Sequence, residues 1–412
     1  MSKNAQSPVY DLFSSDPYPI YRKMQDTDPV YYSESLGYWI VTRYQDVEAA
    51  LKDERFSSDR TALFLHQLGN LDINLIQNFR RLIGNMMLEK DPPVHTQMRK
   101  LANQGFTSLA VESWRSIIQQ TTDHLLDQVQ HQGYMDIVSD LSAQLPALVI
   151  AEIFGVPERV EGETASQRAN LIQWATDIVT LWGTPSDQNI EELARRADTA
   201  SIQFTQLIEQ LIEERRAQPG TDMISLLMSA YAAQGLNFEE LPSLCILILN
   251  AGHVTTTDLI ANGVSALLDH PEQLQKLLTH PELISFAIEE MIRYDTPAPF
   301  LFRIAKEAIV LDGKTIPAGS IIALGLGAAN HDPAKFTHPD QFDIARSPNE
   351  HLGFAPGIHY CLGVVLARME LTICFTTLLR RMPNLRHDRS KPTIPRQTSL
   401  AFKGIESLPV RF

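Results

Sequence analysis

The order of apolar and polar side chains divides the chain into segments of distinct period. Residues 29–44, PVYYSESLGYWIVTRY, alternate and are rich in aromatic and β-branched side chains, which predicts two short strands joined at Leu36 and Gly37. Residues 46–53 then predict a short helix. From about 108 to 270 apolar residues recur at three- and four-residue spacing, as in ALVIAEIF and FTQLIEQLIEERR, which predicts a succession of helices. Within it, 237–270 reads as one helix of roughly thirty residues, about 45 Å long, enough to cross a whole domain. Residues 308–332 return to β-branched runs around an Asp-Gly turn and predict strands. There is no internal repeat, low-complexity tract or Gly/Ser linker. The expectation is a mainly α protein with small β-sheets, a single domain over residues 1–412. It has a β-rich N-terminal lobe at about 1–60 and a helical bulk at about 90–300.

Composition narrows this picture without changing it. A chain of 412 residues, 44% hydrophobic and 20% charged, has ample material for a buried core. Its formal charge of −14 argues against general nucleic-acid binding, which needs a basic face. Cys245, Cys361 and Cys374 are too few for a disulfide framework and fit a reducing compartment. The first residues hold no apolar core of signal-peptide length, and the longest apolar run, LCILILNAG, is about half a membrane span. A cytoplasmic, monomeric protein with no membrane attachment is expected.

The chemistry begins at residues 353–363, GFAPGIHYCLG, a loop of glycines and proline that opens onto a helical run. A cysteine at a helix N-terminus meets unsatisfied N–H groups and the positive end of the helix dipole, both of which favour thiolate. Gly357 and Gly363 permit close approach or unusual torsions, and Phe354 is placed to shield one side of the sulfur. Such a thiolate suits a metal ligand. No second cysteine stands at zinc-chelating spacing; a nucleophilic cysteine stays open although His359, only two residues away, need not face the sulfur, and so does an inert buried thiol. Cys245 and Cys374 sit in apolar helical runs and read as inert core.

Taken together, Phe354, Gly357, His359, Cys361 and Gly363 resemble the haem-binding signature of the cytochromes P-450. Ala355 stands where bacterial members of that family usually carry glycine, read here as a mild change. The resemblance implies the cytochrome P-450 fold with a long central helix, haem b (iron protoporphyrin IX) as cofactor, and Cys361 as its proximal thiolate ligand. It also implies roles elsewhere. Glu290 and Arg293 share a helix face and, with Arg346, would hold the scaffold on the haem side. In DPPVHTQMRK, His95 and Arg99 are one turn apart. With Arg303 and His359 they would meet the haem propionates, because buried carboxylates need cations or good donors. In AGHVTTT, the small Ala251 and Gly252 would let a flat macrocycle approach the long helix, and Thr255 would face the ligand. Alternatively these small residues serve helix packing and the threonine bonds to its own helix. The family usually carries an acid before that threonine; here it is Val254, which cannot relay protons.

The function implied is a haem-thiolate monooxygenase acting on a small-to-medium apolar substrate by hydroxylation or epoxidation, in a natural-product setting. No flavin or iron–sulfur motif is visible, so electrons would come from a separate ferredoxin or flavodoxin with its reductase. By position in the family the substrate pocket would be lined by the segment before Leu88, by Asn250 and residues 251–255, by Pro299, Phe300, Leu301 and Phe302, and by Leu400 and residues 401–402. Val254 keeps open peroxide-driven or other atypical chemistry. A non-catalytic haem sensor is the rival from a different class.

Overall fold

A computed structural model describes residues 11–14, 16–69, 71–158, 166–183, 189–234, 240–396 and 399–412. The start of the expected N-terminal lobe, residues 1–10, and the first positions of the expected long helix, 237–239, lie outside the described residues.

Helix accounts for 58% of the protein, as the apolar spacing predicts. In chain order the strands that frame the site are β1 (Val30–Ser33), β2 (Tyr38–Val41), β3 (Phe56–Ser57), β4 (Tyr134–Asp136), β5 (Phe300–Ala305), β6 (Ile309–Leu311), β7 (Lys314–Ile316) and β8 (Ile321–Gly325). The main sheet has the order β1-β2-β8-β5-β3, with β2 and β8 parallel and the other pairs antiparallel. The first two strands turn at residues 36–37 as predicted, where the Gly37 N–H donates to Ser33 O at 2.8 Å. β6 and β7 form the hairpin predicted at the Asp-Gly turn.

Two features go beyond the sequence reading. The N-terminal lobe is not built from the first sixty residues alone. Helices Tyr18–Thr27 and Tyr44–Lys52 lie within those residues, but the sheet is completed by β5 and β8 from far along the chain. The helical region after 108 is also broken, because β4 pairs with the C-terminal strand Pro409–Arg411. A three-residue strand whose partner lies at the other end of the chain leaves almost no local period.

The central helix runs Leu241–Asp269, 29 residues. Pro242 in its first turn suits the start, where an N–H has no partner anyway, and Pro271 lies beyond its end at His270. Its length and composition would allow it to cross a bilayer, yet 83% of its most apolar stretch is buried inside the protein. It is buried around its circumference, packed by helices Leu145–Ile153, Ile190–Ala217, Ile284–Tyr294 and Val364–Arg381. Each fully buried leucine or isoleucine on it contributes about 2 kcal/mol of transfer free energy. Gly263 lets two neighbours come close: a Cβ there would lie 2.8 Å from Phe375 Cζ and 2.9 Å from Met291 Sδ.

Candidate active site

Helix Val364–Arg381 begins after Gly363, and Cys361 lies just ahead of it in a run of tight turns. Its own N–H donates to Phe354 O at 3.0 Å, and the Tyr360 N–H donates to Gly357 O at 3.1 Å. Gly357 has φ 104°, and a Cβ there would sit 2.3 Å from Leu51 O, so only glycine fits. Gly363 differs: its φ of −87° is open to any residue, and a Cβ built on it meets nothing within 4 Å. It marks open space rather than an obligatory torsion. Ala355 is held at φ 52°, a left-handed conformation that costs an L-residue about 1–2 kcal/mol. The change from glycine at this position is therefore less mild than the sequence alone indicated.

Cys361 is half-buried, and desolvation pushes its thiol above the ordinary range. The Gly363 N–H, Arg99 and Arg368 pull the other way but do not overcome it. A coordinated metal ion deprotonates a thiol outright and would reverse that order. The Phe354 ring is covered by the Arg368 guanidinium at 4.8 Å. Arg368 is itself clamped by Glu289, with Nε and Nη2 each 2.7 Å from a carboxylate oxygen, and Glu289 also meets His351 at 3.1 Å. Although burial opposes ionisation, these partners hold the Glu289 carboxyl down at about 2. None of Glu289, His351 and Arg368 was singled out from the sequence, because ion pairs between distant segments leave no local pattern.

One residue on, Glu290 and Arg293 are fully buried and form the bidentate pair that their spacing predicts, at 2.8 and 2.9 Å. Arg346 completes the triad, its Nε 3.0 Å from Glu290 Oε2. Arg293 also donates to the carbonyls of Asn330, Pro339 and Gln341. Helix Ile284–Tyr294 thus grips both the cysteine side and the segment leading to it.

The four expected propionate donors converge. His95 is 2% exposed with both ring nitrogens unpartnered, and His359 Nε2 is unpartnered as well. Their rings lie 4.1 Å apart. Arg303, on β5, is also buried, and burial with the nearby Arg60 lowers it to about 10. Burial, then Arg303, His95 and Arg60, lower His359 to about 2. Burial and then Arg99 lower His95 too. Arg303 donates to Phe302 O and Arg99 to Asn103 Oδ1, but buried histidine nitrogens left without a partner beside a buried cation are costly. They fit a group that brings two carboxylates, and the open space beside Gly363 and Ala251 fits a flat one.

Across from them lies a cavity of about 810 Å³. Ala251, Val254, Thr255 and Asn250 of the central helix form one wall, and Phe300, Leu301 and Phe302 of β5 another. Three expected positions fall off the wall or face elsewhere. A Cβ on Gly252 would touch Ile150 at 3.4 Å, so this residue serves helix packing. Pro299 is not on the wall, and its carbonyl accepts from the Gly327 N–H. Leu400 is buried in the small core around Tyr21 and Met24, while its neighbours Ala401 and Phe402 line the cavity. Val179 and Trp182 also line it; they come from a helix that carries no distinguishing motif. Thr255 Oγ1 donates to Ala251 O at 2.9 Å, leaving its lone pairs as acceptors. Val254 also lines a second cavity of about 330 Å³, as do Val179 and Phe402. Asp258 does not reach either cavity; it pairs with Arg396 at 2.5 Å, and burial raises its carboxyl to about 7.

The family model "Cytochrome P450" matches residues 31–406. The chain is 40% identical to the biotin biosynthesis cytochrome P450 of Bacillus subtilis, over 99% of each chain. It is 35% identical to the cytochrome P450 monooxygenase PikC of Streptomyces venezuelae, over 99% of this chain and 95% of the relative. Among solved structures, P450BioI bound to an acyl carrier protein ligated with hexadec-9Z-enoic acid superposes with a TM-score of 0.87 at 38% identity, covering 96% and 98% of the two chains.

Proposed function

The chain belongs to the cytochrome P450 family, and on that premise we propose that it inserts one atom of dioxygen into a small-to-medium, mainly apolar organic molecule on a biosynthetic route, by hydroxylation or epoxidation. It is a haem monooxygenase; the finer reading rests on the cavity of about 810 Å³ walled by β5 aromatics and the Ala251 and Thr255 face of the central helix. Haem, when bound, supplies dioxygen activation and one-electron chemistry. Cys361 would hold its iron, and His95, Arg99, Arg303 and His359 would hold its carboxylates.

The protein's own residues do the rest. Phe300, Leu301 and Phe302 exclude water and orient the substrate. Thr255 Oγ, its proton engaged by Ala251 O, is placed to accept a hydrogen bond from a water or a substrate group. Val254 offers no proton, so proton delivery passes through solvent or the substrate. Electrons come from a separate ferredoxin or flavodoxin with its reductase, and the protein works as a cytoplasmic monomer of one haem domain. The relatives' printed roles, in biotin biosynthesis and as a monooxygenase, support a biosynthetic setting.

The test is turnover of holoprotein with such an electron chain under labelled dioxygen, using compounds first selected by their effect on the Soret band. Product carrying the label, with cofactor consumption that depends on substrate, is expected. Val254 favours a second reading, use of peroxide in place of dioxygen and electrons. Product formed only with added peroxide would replace the first reading by the second.

A further inference from the structure

Asn250 is 3% exposed, lines the larger cavity, and has neither its Oδ1 nor its Nδ2 hydrogen-bonded. Of the described residues on that wall it alone carries buried polar side-chain atoms without a partner. Its sequence neighbours are Leu247, Ile248, Leu249 and Ala251, so a leucine would continue the run and bury no amide. An asparagine in mid-helix is also a weaker helix former than leucine. The cost of an unpaired buried amide is removed when a ligand supplies the missing partners.

An amide side chain offers an acceptor oxygen and two N–H donors. A hydrocarbon answers neither, and an ether or ketone answers only the donors. A hydroxyl or a carboxamide answers both. We propose that Asn250 is a substrate-recognition residue, and that the substrate is a neutral, largely apolar molecule carrying a hydroxyl or carboxamide that pairs with its side-chain amide. Val254 and Thr255 lie about one helical turn further along. The polar group is thereby held at one end of that face, and carbon further along the molecule is presented to Ala251 and Thr255. This rests on the larger cavity being the substrate site.

The experiment uses holoprotein and two isomeric probes of equal heavy-atom count, dodecan-1-ol and 1-methoxyundecane, of which both can accept a hydrogen bond and only the alcohol can donate one. Binding is read from the Soret band and, independently, from the thermal midpoint. Wild type is expected to bind the alcohol about tenfold more tightly than the ether. Asn250→Leu should bring that ratio to about one and raise the ligand-free thermal midpoint. Asn250→Ala, which removes the amide without filling the space, should abolish the preference too and guards against a folding defect in the first variant. A preference that persists in both variants, or a leucine variant with a lower midpoint, overturns the assignment. If neither probe alters the wild-type spectrum or midpoint, the larger cavity is not the substrate site and the underlying reading falls instead.

Discussion

Replacing Glu290 by glutamine tests the scaffold on which the haem side depends. The change keeps shape and volume but removes one charge and turns one oxygen into a donor. Each carboxylate oxygen already receives several donors. Oε1 accepts from Arg293 Nη2 at 2.9 Å, Asp343 N at 2.9 Å and Arg346 Nε at 3.1 Å. Oε2 accepts from Arg293 Nε at 2.8 Å, Arg346 Nε at 3.0 Å and Asn349 Nδ2 at 3.2 Å. Whichever oxygen becomes NH₂ then faces only donors. Arg293 is left fully buried without its counter-charge, while all of its N–H groups remain oriented for the acceptors they now have. Uncompensated burial of this kind costs about 3–5 kcal/mol. For a chain of 412 residues that lowers the thermal midpoint by roughly 3–6 °C. The assay is unfolding of holoprotein followed by far-ultraviolet circular dichroism and by loss of the Soret band. Glu290→Gln should shift both transitions downward, and haem should leave no later than helix is lost. A midpoint within about 2 °C of wild type would refute the view that this buried triad carries the scaffold.

Two further outcomes concern stability. Ala355→Gly relieves the left-handed alanine in the cysteine loop and should stabilise the protein by about 0.5–1 kcal/mol, after allowing for the greater chain entropy of glycine; a lower thermal midpoint would contradict the strained conformation. Glu370 is 2% exposed with Oε1 unpartnered, and burial raises its carboxyl from 4.5 to about 8. Between those values the folded protein keeps a proton that the unfolded chain has lost, so this group's contribution to stability falls as pH rises through the window. Glu370→Gln removes that loss, so its midpoint relative to wild type should climb from about pH 5 to pH 8. A constant offset across that range would show that Glu370 does not titrate as its burial implies.

What could be read in the sequence was whatever local period or fixed spacing encodes. The central helix, the β1–β2 turn and the Asp-Gly hairpin are local events, and they were legible. So was the Cys361 loop, because the loop needs Gly357 to pass Leu51 and needs its cysteine at a fixed distance from the following helix. The convergence of His95, Arg99, Arg303 and His359 came from resemblance, since helix, strand and loop bring them together from separate parts of the chain. Periodicity did not separate Gly252 from Ala251, yet one faces Ile150 and the other the cavity. Nor did it mark Val179 and Trp182 as cavity walls, because an apolar residue on a cavity wall and one in the core look alike in a sequence. β4 was missed because a three-residue strand takes its identity from its partner at the C-terminus.

The central claim is that the sulfur of Cys361 would hold the haem iron. The most direct measurement is the Soret spectrum of the reduced carbon-monoxide complex, taken for wild type and for serine variants of each cysteine. Cys245 and Cys374 are fully buried in the helical core, and burial holds both thiols well above their ordinary range. The long-wavelength thiolate band should persist in Cys245→Ser and Cys374→Ser and disappear in Cys361→Ser. A Cys361→Ser protein that keeps the band would contradict the account.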